Sequence, residues 1–312
     1  MEKRSLKGSV LLLGAALIWG AAFIAQKVGI VDIGTFTFSA SRFAISGLAL
    51  LPVALMRKNQ PEAAVLESQG KTRGRKTLII GGILCGVCLA AATNAQQLGI
   101  ADTSAGKAGF ITALYIVFVP IFRIFSRKKV SGAVWISVAV AVVGFYLLSV
   151  TEGLSINQGD AIVLLSALLF TFHILVIDKY SPRADGIKIS CIQSFTAAAI
   201  SAVCMLIFEK PSLSALIAGW VPIAYLGLMS GAVGYTLQIV GQKYAEPASA
   251  SLILSLESVF AAVMGVLFLG EGFSAQELIG CVLVFGATIL SQVSFKKRVS
   301  AKVIAQNSGE FE

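Results

Sequence analysis

Ten apolar stretches, each close to the length of a helix that crosses a bilayer, constrain this chain more than any other feature. They fall at about 8–28, 33–56, 77–98, 104–125, 131–150, 159–177, 188–208, 217–237, 247–269 and 274–294. A crossing helix needs about 20 mostly apolar residues, because the hydrocarbon layer is about 30 Å thick and a helix rises 1.5 Å per residue. A shift of 142 positions lays the third to fifth stretches on the eighth to tenth without a gap. Gln96 then falls on Gln238, Gly99 on Gly241, Leu114 on Leu256, and Val117-Phe118 on Val259-Phe260. Gly144 falls on Gly286 and Ser149 on Ser291. Five spans per half is an odd number, so the second half enters from the opposite face of the membrane. The expected fold is an all-α polytopic membrane protein, with ten transmembrane helices in two inverted five-helix repeats, 8–150 and 155–295. Secondary transporters are often built on this plan.

Composition agrees with a membrane chain. Of the 312 residues, 56% are hydrophobic and 13% charged, with a mean hydropathy of +0.85. Soluble domains carry about 25% charged residues. The runs are continuously apolar, which excludes the alternating strands of a membrane β-barrel. Thirty glycines suit the close helix contacts that lipid favours.

The net charge of +9 would fit a nucleic-acid partner, but its distribution points elsewhere. With the N-terminus inside, 21 of the 25 lysines and arginines lie in inner segments, Lys27, Lys107 and Lys210 lie outside, and Arg42 lies within a span. That bias is the positive-inside rule. It predicts both termini in the cytoplasm, a multi-pass protein of a bacterial-type plasma (inner) membrane, basic loops against anionic lipid headgroups, and no nucleic acid. The run after Gly8 is too long for a signal peptide and should remain as the first helix. All five cysteines lie inside spans, and Cys85-x-x-Cys88 is read as packing, with no metal and no cofactor expected. Residues 57–76, polar and basic with Pro61, Gly70 and Gly74, form a predicted cytoplasmic linker, and 296–312 a disordered basic tail. There is no G-x-x-x-x-G-K-[ST] motif to support ATP-driven work.

Small residues at helical spacing include Gly82-x-x-x-Gly86, Gly227-x-x-x-Gly231, Ser251-x-x-x-Ser255 and Ala261-x-x-x-Gly265. They predict close-packed helix faces, and such smooth faces would also let helix groups rock.

Two halves of about 140 residues, with Trp19-Gly20 in the first span and Arg42-Phe43 in the second, resemble the EamA-type transporters of the drug/metabolite transporter superfamily. Thr103-Ser104-Ala105-Gly106-Lys107-Ala108-Gly109-Phe110-Ile111-Thr112, Leu256-Glu257-Ser258-Val259-Phe260 and Leu269-Gly270-Glu271 carry the likeness, which covers nearly all of 8–295. Members often have a proline in an L-x-P-V-F stretch of each repeat. Neither Leu114-Tyr115-Ile116-Val117-Phe118 nor its partner in the ninth span has one, and Pro120 lies two residues beyond the first. The resemblance implies a carrier of amino acids, other small metabolites or drugs, often an exporter.

Charge inside lipid costs at least about 2.5–3.5 kcal/mol at a helix centre, so intramembrane ionisable residues point to function. Arg42 and Glu257 fall near mid-depth, and Lys107 about one turn inside the outer end of the fourth span. Glu257 is the candidate protonatable group; Arg42 or Lys107 is the candidate anchor for a substrate carboxylate. The competing expectation is that Arg42 and Glu257 pair with each other or with backbone and merely fix the helices, and that Lys107 snorkels to the interface. Asn94, Gln96 and Gln97, with Gln238 and Tyr235, are candidates either for binding a neutral or zwitterionic solute or for interhelical hydrogen bonds. Trp19, Phe23 and Gln26 share one face of the first helix, for packing or as a wall of the substrate route. Tyr115 stands where the repeat puts Glu257, and His173, the single histidine, is read as structural rather than as a proton relay. Glu271 is assigned to a helix end.

The expected function is thus secondary transport by alternating access of a small-molecule substrate through a mid-membrane site, with protons as a coupling option, by a monomer or homodimer. A membrane-embedded enzyme for lipid-linked substrates would require clustered His, Asp or Glu. A channel would show flux that does not saturate.

Overall fold

The structure is a computed structural model that describes all residues except 1, 30–32, 58–70, 104, 129, 150–156, 270–273 and 308–312. The side chains of some further helix-end residues, Phe23 and Lys107 among them, also lie outside the description, as does Glu271. All regular structure among the described residues is helical. In chain order it comprises α1 (Glu2–Gly29), α2 (Thr35–Met56), α3 (Lys71–Ile100), α4 (Ala105–Ala113), α5 (Tyr115–Phe125), α6 (Gly132–Ser149), α7 (Gln158–Tyr180) and α8 (Gly186–Phe208). The short α9 (Leu213–Ala218) leads to α10 (Trp220–Tyr225), a π-helical stretch Leu226–Gly234 and α11 (Tyr235–Gln242), which continue one another. Then follow α12 (Pro247–Leu254), α13 (Leu256–Leu269) and α14 (Ala275–Asn307).

Eight helical runs among the described residues are long and apolar enough to cross a membrane, and Leu6–Ala22 and Gly132–Leu148 are shorter apolar helices at the first and fifth predicted spans. Two boundaries differ from the sequence expectation. Helix α3 starts at Lys71, inside the predicted linker. Helix α14 runs on to Asn307, where a disordered tail was expected after Ser294. Nothing in 295–307 breaks a helix: the stretch has neither proline nor glycine, and its Lys, Arg, Ala and Gln are good helix formers.

The fourth and ninth spans are each interrupted at corresponding places. Leu114 (φ −61°, ψ −9°) separates α4 from α5, and Ser255 (φ −64°, ψ −13°) separates α12 from α13. Both are one-turn tightenings with i→i−3 bonds: Leu114 N–H to Ile111 O at 3.1 Å, Val117 N–H to Leu114 O at 2.9 Å, and Ser258 N–H to Ser255 O at 3.2 Å. Neither break needs a proline. At Ser255 the hydroxyl donates to Leu252 O at 2.9 Å and competes for a carbonyl of the ladder.

Helix α2 is clamped to α8 at both ends. Its first-turn amides receive the Glu209 carboxylate from the end of α8: Phe36 N–H donates at 2.9 Å, Thr37 N–H at 2.8 Å and the Thr37 hydroxyl at 2.7 Å. The carboxylate thus meets the positive end of the helix dipole. A Cβ on Gly34 would lie 2.3 Å from the Glu209 carboxyl carbon, so only glycine admits this cap. At the other end Arg57 Nε donates to Asp185 Oδ2 at 3.0 Å. Elsewhere, α1 packs on α11, α12 and α13, whereas α7 packs on α3, α4 and α5, and α6 on α14.

The small-residue faces are contact faces. A Cβ on Gly82 would meet Ile192 at 2.6 Å, one on Gly86 would meet Thr196 at 2.5 Å, and one on Gly231 would meet Ser46 at 2.9 Å. The tightest approach of α1 to α13 is at Gly20, where a Cβ would stand 2.5 Å from Phe260 Cβ and 2.9 Å from the Ala261 amide. Gly20→Ala is expected to lower thermal stability in detergent by about 1–3 kcal/mol through overpacking. Gly286→Ala, with nothing within 4 Å, should be neutral or slightly stabilising; equal effects of the two would refute the contact as a packing constraint.

Candidate functional site

Seven spans converge on one cavity of about 50 Å³. At about 10–15 Å³ per water, that is room for roughly three to five waters. From the first helix Trp19, Ala22 and Gln26 face it; α2 contributes Arg42, α3 contributes Thr93 and Gln96. Thr112 and Tyr115 come from either side of the α4–α5 break, and Leu254 and Glu257 from either side of the α12–α13 break. Phe170, His173 and Ile174 of α7 and Ser230, Tyr235 and Gln238 of the eighth span complete the wall.

The helix irregularities lie at this cavity for a physical reason. A π-turn or a tightened turn rotates the following side chains and frees a carbonyl from the regular ladder. In the π-helical stretch, Tyr235 N–H bonds to Ser230 O, five residues back. The Ser230 carbonyl also accepts the indole N–H of Trp19 at 3.3 Å. Glycines at 227, 231 and 234 allow this widened turn to lie against α2 and Trp19.

Aromatic rings surround the charged groups. Trp19 and Tyr235 are 4.9 Å apart, Phe43 and Tyr235 6.3 Å, and His173 meets Tyr235 edge-on at 5.9 Å. The Arg42 guanidinium lies 4.8 Å from the Phe43 ring and 5.8 Å from Phe38. Arg42 is only 6% exposed, its Nε has no hydrogen-bond acceptor, and it forms no salt bridge among the described residues. Cation–π contact offsets part of the desolvation but leaves the charge without a counterion.

Glu257, 8% exposed, has a single described partner: the Tyr115 hydroxyl donates to its Oε1 at 3.4 Å. The two residues are 142 positions apart, the repeat shift itself. Arg42 and Glu257 therefore do not pair with each other, although both line the cavity. Tyr235 lies within electrostatic range of both.

Other buried polar atoms at the cavity also lack partners: Gln26 Oε1, Gln238 Oε1 and His173 Nδ1. His173 Nε2 is 2.8 Å from Gln193 Oε1, so this lining histidine is anchored to α8 while its Nδ1 has no described partner. Gln96 Nε2 donates to Thr112 Oγ1 at 3.1 Å.

Of the residues singled out from sequence, Arg42, Glu257, Tyr115, Gln96, Gln238, Tyr235 and Trp19 share the cavity, and Gln26 and His173 join them. Asn94 does not line it; it turns toward α8 and donates to Ser201 Oγ at 3.0 Å. Gln97 is buried with both amide atoms unpartnered, also away from this wall. Thr93, Thr112, Phe170 and Ser230 were not anticipated. For Ser230 a sequence signal existed, since glycines at 227, 231 and 234 mark a segment where an α-helix is easily widened.

The EamA-like transporter family model matches the chain twice, over residues 6–150 and 157–292. The chain belongs to the EamA-like transporter family. It is 30% identical over 281 residues to an uncharacterized transporter of Archaeoglobus fulgidus, covering 88% of this chain and 82% of that one. It is 23% identical to the inner membrane transporter YedA of Escherichia coli K12, over 96% of each chain. A probable terminal-alkyne amino-acid exporter of Streptantibioticus cattleyicolor is 24% identical, over 93% of this chain and 95% of that protein. A solved crystal structure shares the fold at a TM-score of 0.75 and 15% identity, covering 93% of this chain and 98% of the other.

Tyr115→Phe deletes the hydroxyl partner of Glu257 and no apolar contact. The bond is long, so thermal stability should change by less than about 1 kcal/mol, while transport by the reconstituted protein slows. A large loss of stability with normal transport would assign this contact to the scaffold.

Proposed function

We propose that this chain is a ten-span secondary carrier of two inverted repeats, which exports a small amino-acid-like solute through the central cavity by alternating access. The observation that carries the reading is the coexistence of Arg42 and Glu257, both buried, both lining one cavity, and not paired. A buried charge with no partner is costly. A zwitterion would answer both, with its carboxylate on Arg42 and its ammonium toward Glu257 and the rings of Trp19 and Tyr235. Gln26 and Gln238 offer carbonyl oxygens for further N–H groups. When the solute leaves, a proton on Glu257 would neutralise the carboxylate, which makes proton exchange the natural coupling.

The double match to the family model supports the repeat, as does the exchange of packing partners. Helix α1 packs on α11, α12 and α13, and α7, its counterpart, packs on α3, α4 and α5. The bias of basic residues supports cytoplasmic termini, and the relative described as an inner membrane transporter supports a plasma-membrane location. The amino-acid exporter among the relatives supports the substrate class and direction.

Counterflow of labelled amino acids in proteoliposomes tests the reading. Saturable counterflow is expected, and flux proportional to concentration would indicate a channel. Arg42→Gln should abolish recognition of the carboxylate, so that amino acids and their methyl esters compete equally poorly. Glu257→Gln should remove the pH dependence of flux; unchanged pH dependence would exclude Glu257 as the coupling group.

A further inference from the structure

The two rods that meet at Tyr115 and Glu257 meet a second time, at the end of the bundle where the basic residues gather. Arg123, eight residues beyond Tyr115 on α5, donates from Nη2 to Glu246 Oε1 at 3.0 Å. Glu246 immediately precedes α12, on the rod that carries Glu257. The other guanidinium nitrogen of Arg123 lies 3.8 Å from Asp178 Oδ2 at the end of α7, and Lys128 Nζ reaches the same oxygen at 3.6 Å. The Arg123 and Glu246 side chains are only 11% and 14% exposed, so the central pair of this network of two cations and two anions is shielded, while Lys128 is exposed.

The end of α5 is shaped to make it. Arg127 takes a left-handed conformation, φ 55°, and Lys128 N–H closes back on Arg123 O at 3.0 Å. A non-glycine residue in this region is strained. The turn directs Lys128 toward Asp178.

Two features give this network a specific role. Helices α2 and α8 are tied at both ends, by Glu209 and by Arg57–Asp185. The described polar ties between the α4–α5 and α12–α13 rods are instead Tyr115–Glu257 at the cavity and Arg123–Glu246 at the far end. Moreover, the network has no repeat-related copy: the 142-residue shift carries Arg123 to Gly265, and Glu246 corresponds to Ser104. Neither position can form an ion pair.

We infer that Arg123 is a gating residue of the transport cycle, latching the α5 and α12 rods so that the cavity stays shut at that end until Glu246 and Asp178 release it. Among the described residues the latch has no counterpart at the other end of these rods, so it biases the resting carrier toward the state closed at the Arg123 end. This rests on the cavity being the transport route. Its contents are too small for an amino acid, so entry requires the rods to part. The two contacts between the same rods provide the link, because a solute that takes Glu257 from Tyr115 loosens the pair that the latch holds.

The test places a thiol in the cavity with Ser230→Cys and follows its modification by a membrane-impermeant maleimide in sealed vesicles of either orientation, read at that peptide by mass spectrometry. Arg123→Gln and Glu246→Gln should each speed labelling from the Arg123 side about tenfold, the weight of a charged hydrogen bond, and slow it from the opposite side. Arg123→Lys should restore the parental rates, and Arg57→Gln, which cuts the α2–α8 tie, should leave them unchanged. Rates indifferent to Arg123 and Glu246, or raised equally by Arg57→Gln, would overturn the latch. No labelling from either side in any variant would instead refute the cavity as the route.

Discussion

Charge without a counterion is the constraint around which this bundle is organised. Arg42 sits in the second span, and the faces of Phe38 and Phe43 soften its burial. Glu257 is held by one long hydrogen bond from Tyr115. A scaffold selected for stability alone would let opposite charges at such depth meet, or replace both by apolar side chains, which is often the more stable solution. Keeping them apart around a small cavity costs stability. The proposed cycle uses that cost as affinity, because a dipolar solute recovers it on binding and a proton on Glu257 recovers part of it on release.

The surrounding helices divide by how firmly they are tied. The α2–α8 pair has a carboxylate cap at one end, an ion pair at the other, and glycine contacts between. Gly82 and Gly86 of α3 face α8 in the same way. These are contacts in which backbones approach closely, and a shift of a fraction of an ångström would break several at once. The fourth and ninth spans are different. Each is broken at mid-length by a tightened turn, and each presents its cavity residues from both sides of the break. A rod with such a joint can bend there without losing a whole ladder of hydrogen bonds. The joints, the Tyr115–Glu257 contact and the Arg123 network thus lie on the same two rods, which is where motion is easiest to accommodate.

Much of this was legible from residues alone, because lipid leaves few alternatives: a long apolar run must be a helix, and a charge within it must face inward. That logic located Arg42 and Glu257, and the 142-residue shift put Tyr115 opposite Glu257. It failed where the deciding fact is rotation about a helix axis. Asn94 and Gln96 are two residues apart, so one faces α8 and the other the cavity, and nothing in the local sequence says which. His173 reads as a hydrogen-bonded structural residue, and its bond to Gln193 agrees, but nothing in the sequence places it on the cavity wall. The helical continuation past Ser294 was missed because charge was weighed above helix propensity. Lys107, Phe23 and Glu271 fall where no side chain is described.

The repeat and its violations have separate physical consequences. Residues that match across the 142-residue shift include some that set backbone approach or ladder geometry, such as Gly99 with Gly241, and Leu114 with Leu256 beside the two breaks. In the proposed two-repeat carrier they would give halves of similar shape, which can exchange conformations at little difference in energy. Residues that do not match bias that exchange. Tyr115 against Glu257 makes one half the donor and the other the acceptor of the central contact. Arg123 and Glu246 against Gly265 and Ser104 put an electrostatic tie at one end of the bundle that the repeat-related positions do not reproduce. A carrier built only from the matching residues would have no preferred side. In the proposed cycle the unmatched charges set which face is closed at rest, and a solute that competes for Glu257 acts on the rods that hold that face shut.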